Sequence, residues 1–287
     1  YQRSGSGAIK KDLTNTLNLC NHLSNPQHSF PVIHIAGTNG KGTSANLLSA
    51  IYQSGGYKTG LYTSPHLKNF TERIKINGKE AQQQYIVDFV NKHRRIIEEI
   101  RPSFFEITVV MAFDYFRINQ VDIAIIEVGL GGRLDSTNVV NPELSLITRI
   151  GFDHMDMLGD TLPKIAGEKA GIIKKNKPVI ITAHQPEIIH VFENKASASE
   201  SRLEKSWDNF FIDKADDVLM IYHQQKPWAN VNPDLKGNYI PENLSGVLTA
   251  VELLQQKFHL HQIRRLDMLF YLQIRNWNRY IGSLNLM

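Results

Sequence analysis

An α/β fold, a mostly parallel sheet covered by helices on both faces, is predicted by three observations in this 287-residue chain. Short apolar runs rich in β-branched residues alternate with longer segments of helical periodicity. The first run leads straight into a glycine-rich turn and then a helix. Several polar residues of chemical interest fall just after a strand candidate, where sheets of this class bind their ligands.

In chain order, residues 32–36 read as the first strand and 43–54 as the helix after the glycine turn. A strand follows at 59–62, a helix across 82–100 and another over 105–116. Residues 121–128 and 144–150 continue the strands, with a helix around 162–173 and a strand at 179–182. From 197 to 233 the pattern weakens into mixed polar and aromatic residues, expected to form short strands and turns at the sheet edge. Asn238 to Asn243 then opens a helix to about residue 256, with Pro241 suited to its first turn. No internal repeat or low-complexity segment interrupts this order.

With 42% hydrophobic residues the chain has ample material for a buried core. A net charge of +4, from 32 Lys and Arg against 28 Asp and Glu, is mildly basic and lacks a long cationic run or a basic-aromatic repeat. Nucleic acid is therefore not an expected partner, whereas an anionic small molecule suits the balance. The single Cys20 excludes an intramolecular disulfide and a cysteine-rich zinc site and fits a reducing compartment, so cytoplasm is expected. No apolar run reaches membrane-spanning length, and the start Tyr1-Gln2-Arg3-Ser4-Gly5 carries no signal-peptide core. Without an initiating Met, Tyr1 reads as an internal residue of a longer chain.

The glycine turn is Gly37-Thr38-Asn39-Gly40-Lys41-Gly42-Thr43-Ser44. Glycines let the backbone turn its N–H groups inward, and the helix start adds unpaired donors and a positive dipole end. Lys41 adds a mobile charge for terminal phosphates, and Thr43 or Ser44 is left to face a magnesium ion. The ordinary G-x-x-x-x-G-K-[ST] spacing is not met, since Gly42 separates Lys41 from Thr43. A turn with no ligand is the alternative, yet a lysine between two glycines contributes nothing to packing and costs helix stability. The fold class is thus a P-loop ATPase-like α/β sheet.

This loop, followed by Leu61 to Leu67 with its Thr63-Ser64-Pro65 step, resembles the bifunctional dihydrofolate synthase and folylpolyglutamate synthase family within the muramyl-peptide ligases. Further blocks follow in the family's order: Phe70 to Ile74, Ser103 to Glu106, Glu127 to Asn138, Asp153-His154 with Leu158-Gly159, and Gly167 to Lys174. The resemblance covers residues 1–254. It implies ATP, two magnesium ions, and ligation of L-glutamate to dihydropteroate or a folate by a monomer.

The resemblance also assigns roles. Ser64, Glu127 and His154 match the magnesium ligands, and Lys169 matches a lysine that is carbamylated to hold the second ion. Asn243 matches an asparagine near the nucleotide base, and Phe70, Glu72 and Arg73 match the loop near the pterin. Each has a plainer reading. Glu127 could pair with Arg133, Lys169 could be an exposed helix lysine, and Asn243 a helix cap. Arg73 could be a solvated hairpin charge, and Phe105 with Glu106 could line the crevice or simply begin a helix. A lone histidine such as His154 is more often structural than a ligand, whereas the neighbouring Asp153 could set the imidazole tautomer for ligation.

Residues 1–257 are expected to form the ATP-binding central domain. Residues 258–287, including Arg264 to Asp267 and Trp277 to Tyr280, do not read like the family's entry into its C-terminal domain. A catalytically incomplete ATP-binding fragment, able to bind magnesium-ATP without meaningful ligation, is the alternative of another class. A muramyl-peptide-type ligase is the alternative enzyme.

Overall fold

The computed structural model describes residues 12–215, 218–231, 237–255 and 257–258. Helix α1 (Thr14–His22) precedes β1 (Val32–Ala36), which turns into α2 (Lys41–Ser54) and then β2 (Thr59–Tyr62). A 3-10 turn at Phe70–Arg73 leads into the hairpin β3 (Ile74–Ile76) and β4 (Lys79–Glu80), closed by Asn77 and Gly78, both with positive φ. Helices α3 (Gln83–Lys92), α4 (Arg94–Ile100) and α5 (Phe104–Ile118) follow, then β5 (Ile123–Glu127) and β6 (Leu144–Ile147). Next come α6 (Met155–Leu158), α7 (Leu162–Ala170), β7 (Val179–Ile181), α8 (Ile189–Ala198), β8 (Leu203–Lys205) and α9 (Ser206–Asn209). The described chain closes with β9 (Phe210–Ala215), β10 (Val218–His223), β11 (Lys226–Val231) and α10 (Ile240–Leu254).

The main sheet has eight strands in the order β4-β3-β2-β5-β1-β6-β7-β8. β2, β5, β1, β6, β7 and β8 run parallel, and the β3-β4 hairpin adds an antiparallel edge. Period-two alternation sends successive side chains to opposite faces. Ile33, Ile35, Ile123, Ile125, Leu144 and Leu146 join α2 and α10 on one face. Val32, Ala124 and Ile126 join α1 and α5 on the other. Strand ends Ala36, Val128 and Ile147 join a third cluster with α7 and α8. The central strand β1 thus presents its carboxyl end between β5 and β6, with the crevice-forming loops around it.

Two local expectations are corrected. The segment read as one helix over 82–100 is broken at His93, whose φ of −105° and ψ of 13° leave the helical region. There the His93 ring sits 3.2 Å from His22 on α1, so a tertiary contact interrupts a sequence whose pattern is continuous. In the stretch 197–233, β8 does extend the main sheet, but β9 to β11 form a separate antiparallel sheet in the order β11-β10-β9. Its inward residues Ile212, Leu219, Ile221 and Val231 cover the core face shared with α10.

The segment set apart as a tail begins at Phe258, which is buried with its ring 5.6 Å from Tyr52 and 6.1 Å from Tyr57. Residues 259–287, including the Arg264 and Trp277 stretches, lie outside the described residues. Among the described residues no helix is long and apolar enough to cross a membrane.

Candidate active site

The glycine turn is laced to the segment that continues β6. The N–H groups of Thr38 and Asn39 donate to the Arg149 carbonyl at 2.9 and 3.2 Å. Thr38 Oγ1 accepts from the Gly151 N–H at 3.0 Å and donates to the Gly151 carbonyl at 3.1 Å. Gly37 adopts φ +150°, and a Cβ there would fall 1.8 Å from Thr148 Oγ1, so only glycine fits. Gly40, at φ +95°, caps α2 without a side-chain acceptor. The first N–H groups of this 14-residue helix are therefore left facing the turn, the arrangement that holds an anion.

Lys41 folds back over its own loop, donating to the carbonyls of Gly37 at 3.0 Å and Thr38 at 3.1 Å. Thr43 is half-buried, whereas Ser44 is fully buried and its hydroxyl has no partner. Lys169, at the end of α7, reaches the same Gly37 carbonyl at 2.9 Å. It is 3% exposed and makes no ion pair among the described residues, so the exposed-lysine reading is wrong. Burial, with Lys41 beside it, lowers its pKa to about 8.

Glu127 ends β5 and is buried next to the loop, its carboxylate 3.7 Å from where a Gly42 Cβ would lie. The Ser64 N–H donates to Glu127 Oε2 at 3.3 Å, so β2 and β5 bring these two together. Burial pushes Glu127 up to about 7, against the pull of Lys41 and the Ser64 N–H. The pair with Arg133 does not form, because Arg133 bonds Glu168 at 2.9 Å instead. His154 lies at the start of α6 with φ 45°, half-exposed, its Nε2 3.5 Å from Asp153. Among the described residues no hydrogen bond or ion pair joins it to Glu127, Ser64 or Lys169, and no cluster of three or more His, Cys, Asp or Glu gathers as a metal site.

Beside the loop opens a cavity of about 780 Å³, lined by Ser64, Arg73, Phe105, Glu106, the Gly129–Ser136 turn, Met157 and Leu158 among others. Arg73 is 8% exposed, not a solvated hairpin charge. Its Nε donates to His66 at 2.7 Å, its guanidinium lies 5.5 Å from the Phe104 ring, and it makes no ion pair among the described residues. A buried cation with Glu127 in electrostatic range but no carboxylate bonded to it suits an anionic ligand group. Glu106 lines the same wall but is engaged, accepting from the Ser103 N–H at 2.5 Å in a capping box and from Asn15 at 3.3 Å. The helix begins one residue before Phe105. Phe70 packs edge-on against Phe104 at 5.6 Å, behind the cavity wall. Glu72 caps its own turn with three backbone N–H bonds.

Asn243 is not a helix cap: α10 starts at Ile240 with Tyr239 as its cap. Its side chain instead lies over the loop, since a Cβ at Gly40 would fall 2.2 Å from Asn243 Oδ1. It is 2% exposed and its Nδ2 has no partner, a buried donor aimed at a site.

Sequence reasoning passed over Asp135, His34 and Arg149. Asp135 accepts from the Leu130 N–H at 2.9 Å and from the Thr137 N–H at 2.9 Å and hydroxyl at 2.5 Å, fixing the glycine turn in the cavity wall. His34 Nε2 lies 2.9 Å from the Thr137 hydroxyl. The signal for His34 was there, a polar residue in an otherwise apolar strand.

Comparison with known proteins places this geometry. Residues 35–251 match the Mur ligase middle domain. The chain is 34% identical over 265 residues to the dihydrofolate synthase/folylpolyglutamate synthase of Bacillus subtilis, covering 88% of this chain and 62% of that protein. It superposes on the apo form of L. casei FPGS with a TM-score of 0.85 and 31% identity, covering 92% of this chain and 67% of that one. The chain belongs to the folylpolyglutamate/dihydrofolate synthase family of Mur ligases. Members of that family also include E. coli FolC in complex with DHPP and ADP, matched with a TM-score of 0.82 at 29% identity over 95% of this chain and 64% of that one. An FPGS-AMPPCP complex matches with a TM-score of 0.85 at 30% identity over 93% of this chain and 69% of that one. The chain spans about 62% of the length of the Bacillus subtilis synthase.

Proposed function

We propose that this protein acts as a cytoplasmic, monomeric, ATP-dependent ligase joining L-glutamate to dihydropteroate, to a folate, or to both. The observation that carries this reading is the juxtaposition, at the carboxyl ends of the central strands, of an anion-binding loop, an unpartnered Asn243 Nδ2 over it, and a cavity with a buried Arg73 that makes no ion pair among the described residues. Relatives complexed with AMPPCP, ADP, DHPP and folate support ligands of these kinds.

In this reading the loop N–H groups and Lys41 hold the triphosphate, Asn243 meets the base side, and Arg73 with Phe105 holds the carboxylate-bearing substrate. The substrate carboxylate takes the terminal phosphoryl group, giving an acyl phosphate and ADP. The glutamate amine attacks that carbonyl, the new C–N bond forms as the C–O bond to phosphate breaks, and the amine proton passes to solvent. Catalysis then rests on alignment and on charge placed before the reaction.

Magnesium fits what is present at Glu127. A buried carboxylate that holds its proton up to about pH 7 and carries one N–H bond gains from a divalent cation, and Ser64 lies against it. The ion would neutralise charge on the phosphates. Lys169 fits carbamylation, since a buried amine whose pKa is lowered to about 8 is partly unprotonated and free to add carbon dioxide. His154 would have to turn from Asp153 to join a magnesium ligand set.

Phosphate release measured with ATP, magnesium, dihydropteroate and glutamate tests the reading. Release that requires both dihydropteroate and glutamate supports it; release driven by a muramyl precursor and not by a folate substrate moves the protein to the muramyl-peptide ligases.

A further inference from the structure

Arg149 touches both halves of the proposed nucleotide site. Its backbone carbonyl accepts the Thr38 and Asn39 N–H groups of the loop. Its guanidinium makes a two-pronged contact with Glu242, Nε to Oε2 at 2.9 Å and Nη2 to Oε1. Glu242 is the residue before Asn243, in the first turn of α10. The backbone beside Arg149 is itself fixed, because buried Gln185 accepts from the Ile150 N–H at 2.8 Å and donates to the Ile150 carbonyl at 2.9 Å. α10 is also tied by Ser245, whose hydroxyl donates to the Phe210 carbonyl at 2.7 Å, by Glu252 beside His223 at 2.9 Å, and by apolar contacts with the sheet, and Glu242 is the ion-paired residue of its first turn.

We infer that Arg149 is a positioning residue: through Glu242 it holds the start of α10 so that the Asn243 amide stays over Gly40, tuning nucleotide affinity from outside the loop. The inference rests on the reading of Asn243 as a nucleotide contact. A bidentate guanidinium-carboxylate pair fixes direction as well as distance, which a single apolar contact does not. Both side chains are partly exposed, at 41% for Arg149 and 28% for Glu242, so the effect is moderate. Glu187 also lies within electrostatic range of Arg149 without bonding it.

The test is titration of the 287-residue protein with magnesium and AMPPCP, and separately with inorganic triphosphate, which engages the loop without the base side. Arg149→Gln is expected to weaken AMPPCP about three- to fivefold, the upper part of the range for a partly exposed pair, and to leave triphosphate affinity and the melting temperature unchanged. In an Asn243→Ala background Arg149→Gln should add nothing further. Glu242→Gln should reproduce the Arg149→Gln result and serves if that variant fails to fold. Unchanged AMPPCP affinity in Arg149→Gln beside a weakened Asn243→Ala overturns the inference alone. So do equal losses for AMPPCP and triphosphate, or additive losses in the double variant. Unchanged affinity in Asn243→Ala overturns the nucleotide reading of that residue and this inference with it.

Discussion

Lys41 and Lys169 share one acceptor: both side-chain ammonium groups donate to the carbonyl of Gly37, at 3.0 and 2.9 Å. Two cations converge on a loop whose other open groups are N–H donors, without a carboxylate bonded to either. That concentration of positive charge is what a polyphosphate would neutralise.

Lys41→Ala should therefore cost affinity rather than stability. Loss of one charge-assisted contact is expected to weaken AMPPCP about 10- to 100-fold, with little change in melting temperature because the side chain is hydrogen-bonded only to its own loop. Calorimetric titration and a thermal melt measure both quantities. Wild-type affinity would remove the loop lysine from the site.

Lys169 is expected to take up carbon dioxide in a pH-dependent way. Its amine is mostly protonated below its lowered pKa of about 8, so carbamate formation should fall as pH drops through that value. Carbon-13 NMR in labelled bicarbonate should show a carbamate resonance that Lys169→Arg lacks. The same resonance persisting in Lys169→Arg would assign it to another amine.

Gly40 and Gly56 offer a matched pair. Both have positive φ, at +95° and +84°, but a Cβ at Gly40 meets the Asn243 side chain and one at Gly56 meets nothing within 4 Å. Each Ala substitution should cost about 1 kcal/mol of backbone strain. Only Gly40→Ala should also lose nucleotide affinity. Equal binding by both variants would mean that the amide does not need its present seat.

His34 gives a pH prediction with a defined sign. Burial, with Lys174 nearby, lowers its pKa from 6.5 to about 3. Between those values the unfolded chain binds a proton that the folded chain refuses, so stability falls as pH falls through that window, by up to about 1.4 kcal/mol per pH unit. Urea unfolding of the wild type and His34→Gln at pH 7, 6, 5 and 4 isolates the contribution. The wild type should lose stability faster on acidification; parallel losses would contradict it.

Much of the fold was legible because the strands are short apolar runs and the loop glycines are required by local backbone geometry. Gly37 and Ser64 follow strands and Glu127 ends one, and a parallel sheet gathers strand ends, so their convergence was readable from order alone. Contacts across elements were not. The Arg133-Glu168 pair joins the turn after β5 to helix α7, 35 residues on, and nothing near Glu127 announces that Arg133 has another partner. Asn243 had the composition of a cap, but the helix starts at Ile240 and turns its amide to Gly40. The break at His93 depends on His22.

The central claim is that the loop, Asn243 and the Arg73 cavity form one site for a triphosphate nucleotide and a carboxylate-bearing substrate. The most direct measurement is titration of magnesium and AMPPCP into the protein, alone and saturated with dihydropteroate, beside Lys41→Ala and Arg73→Gln. The account predicts nucleotide binding that Lys41→Ala weakens, and dihydropteroate binding that Arg73→Gln weakens while leaving AMPPCP affinity intact. No nucleotide binding, or binding indifferent to Lys41→Ala, would contradict it.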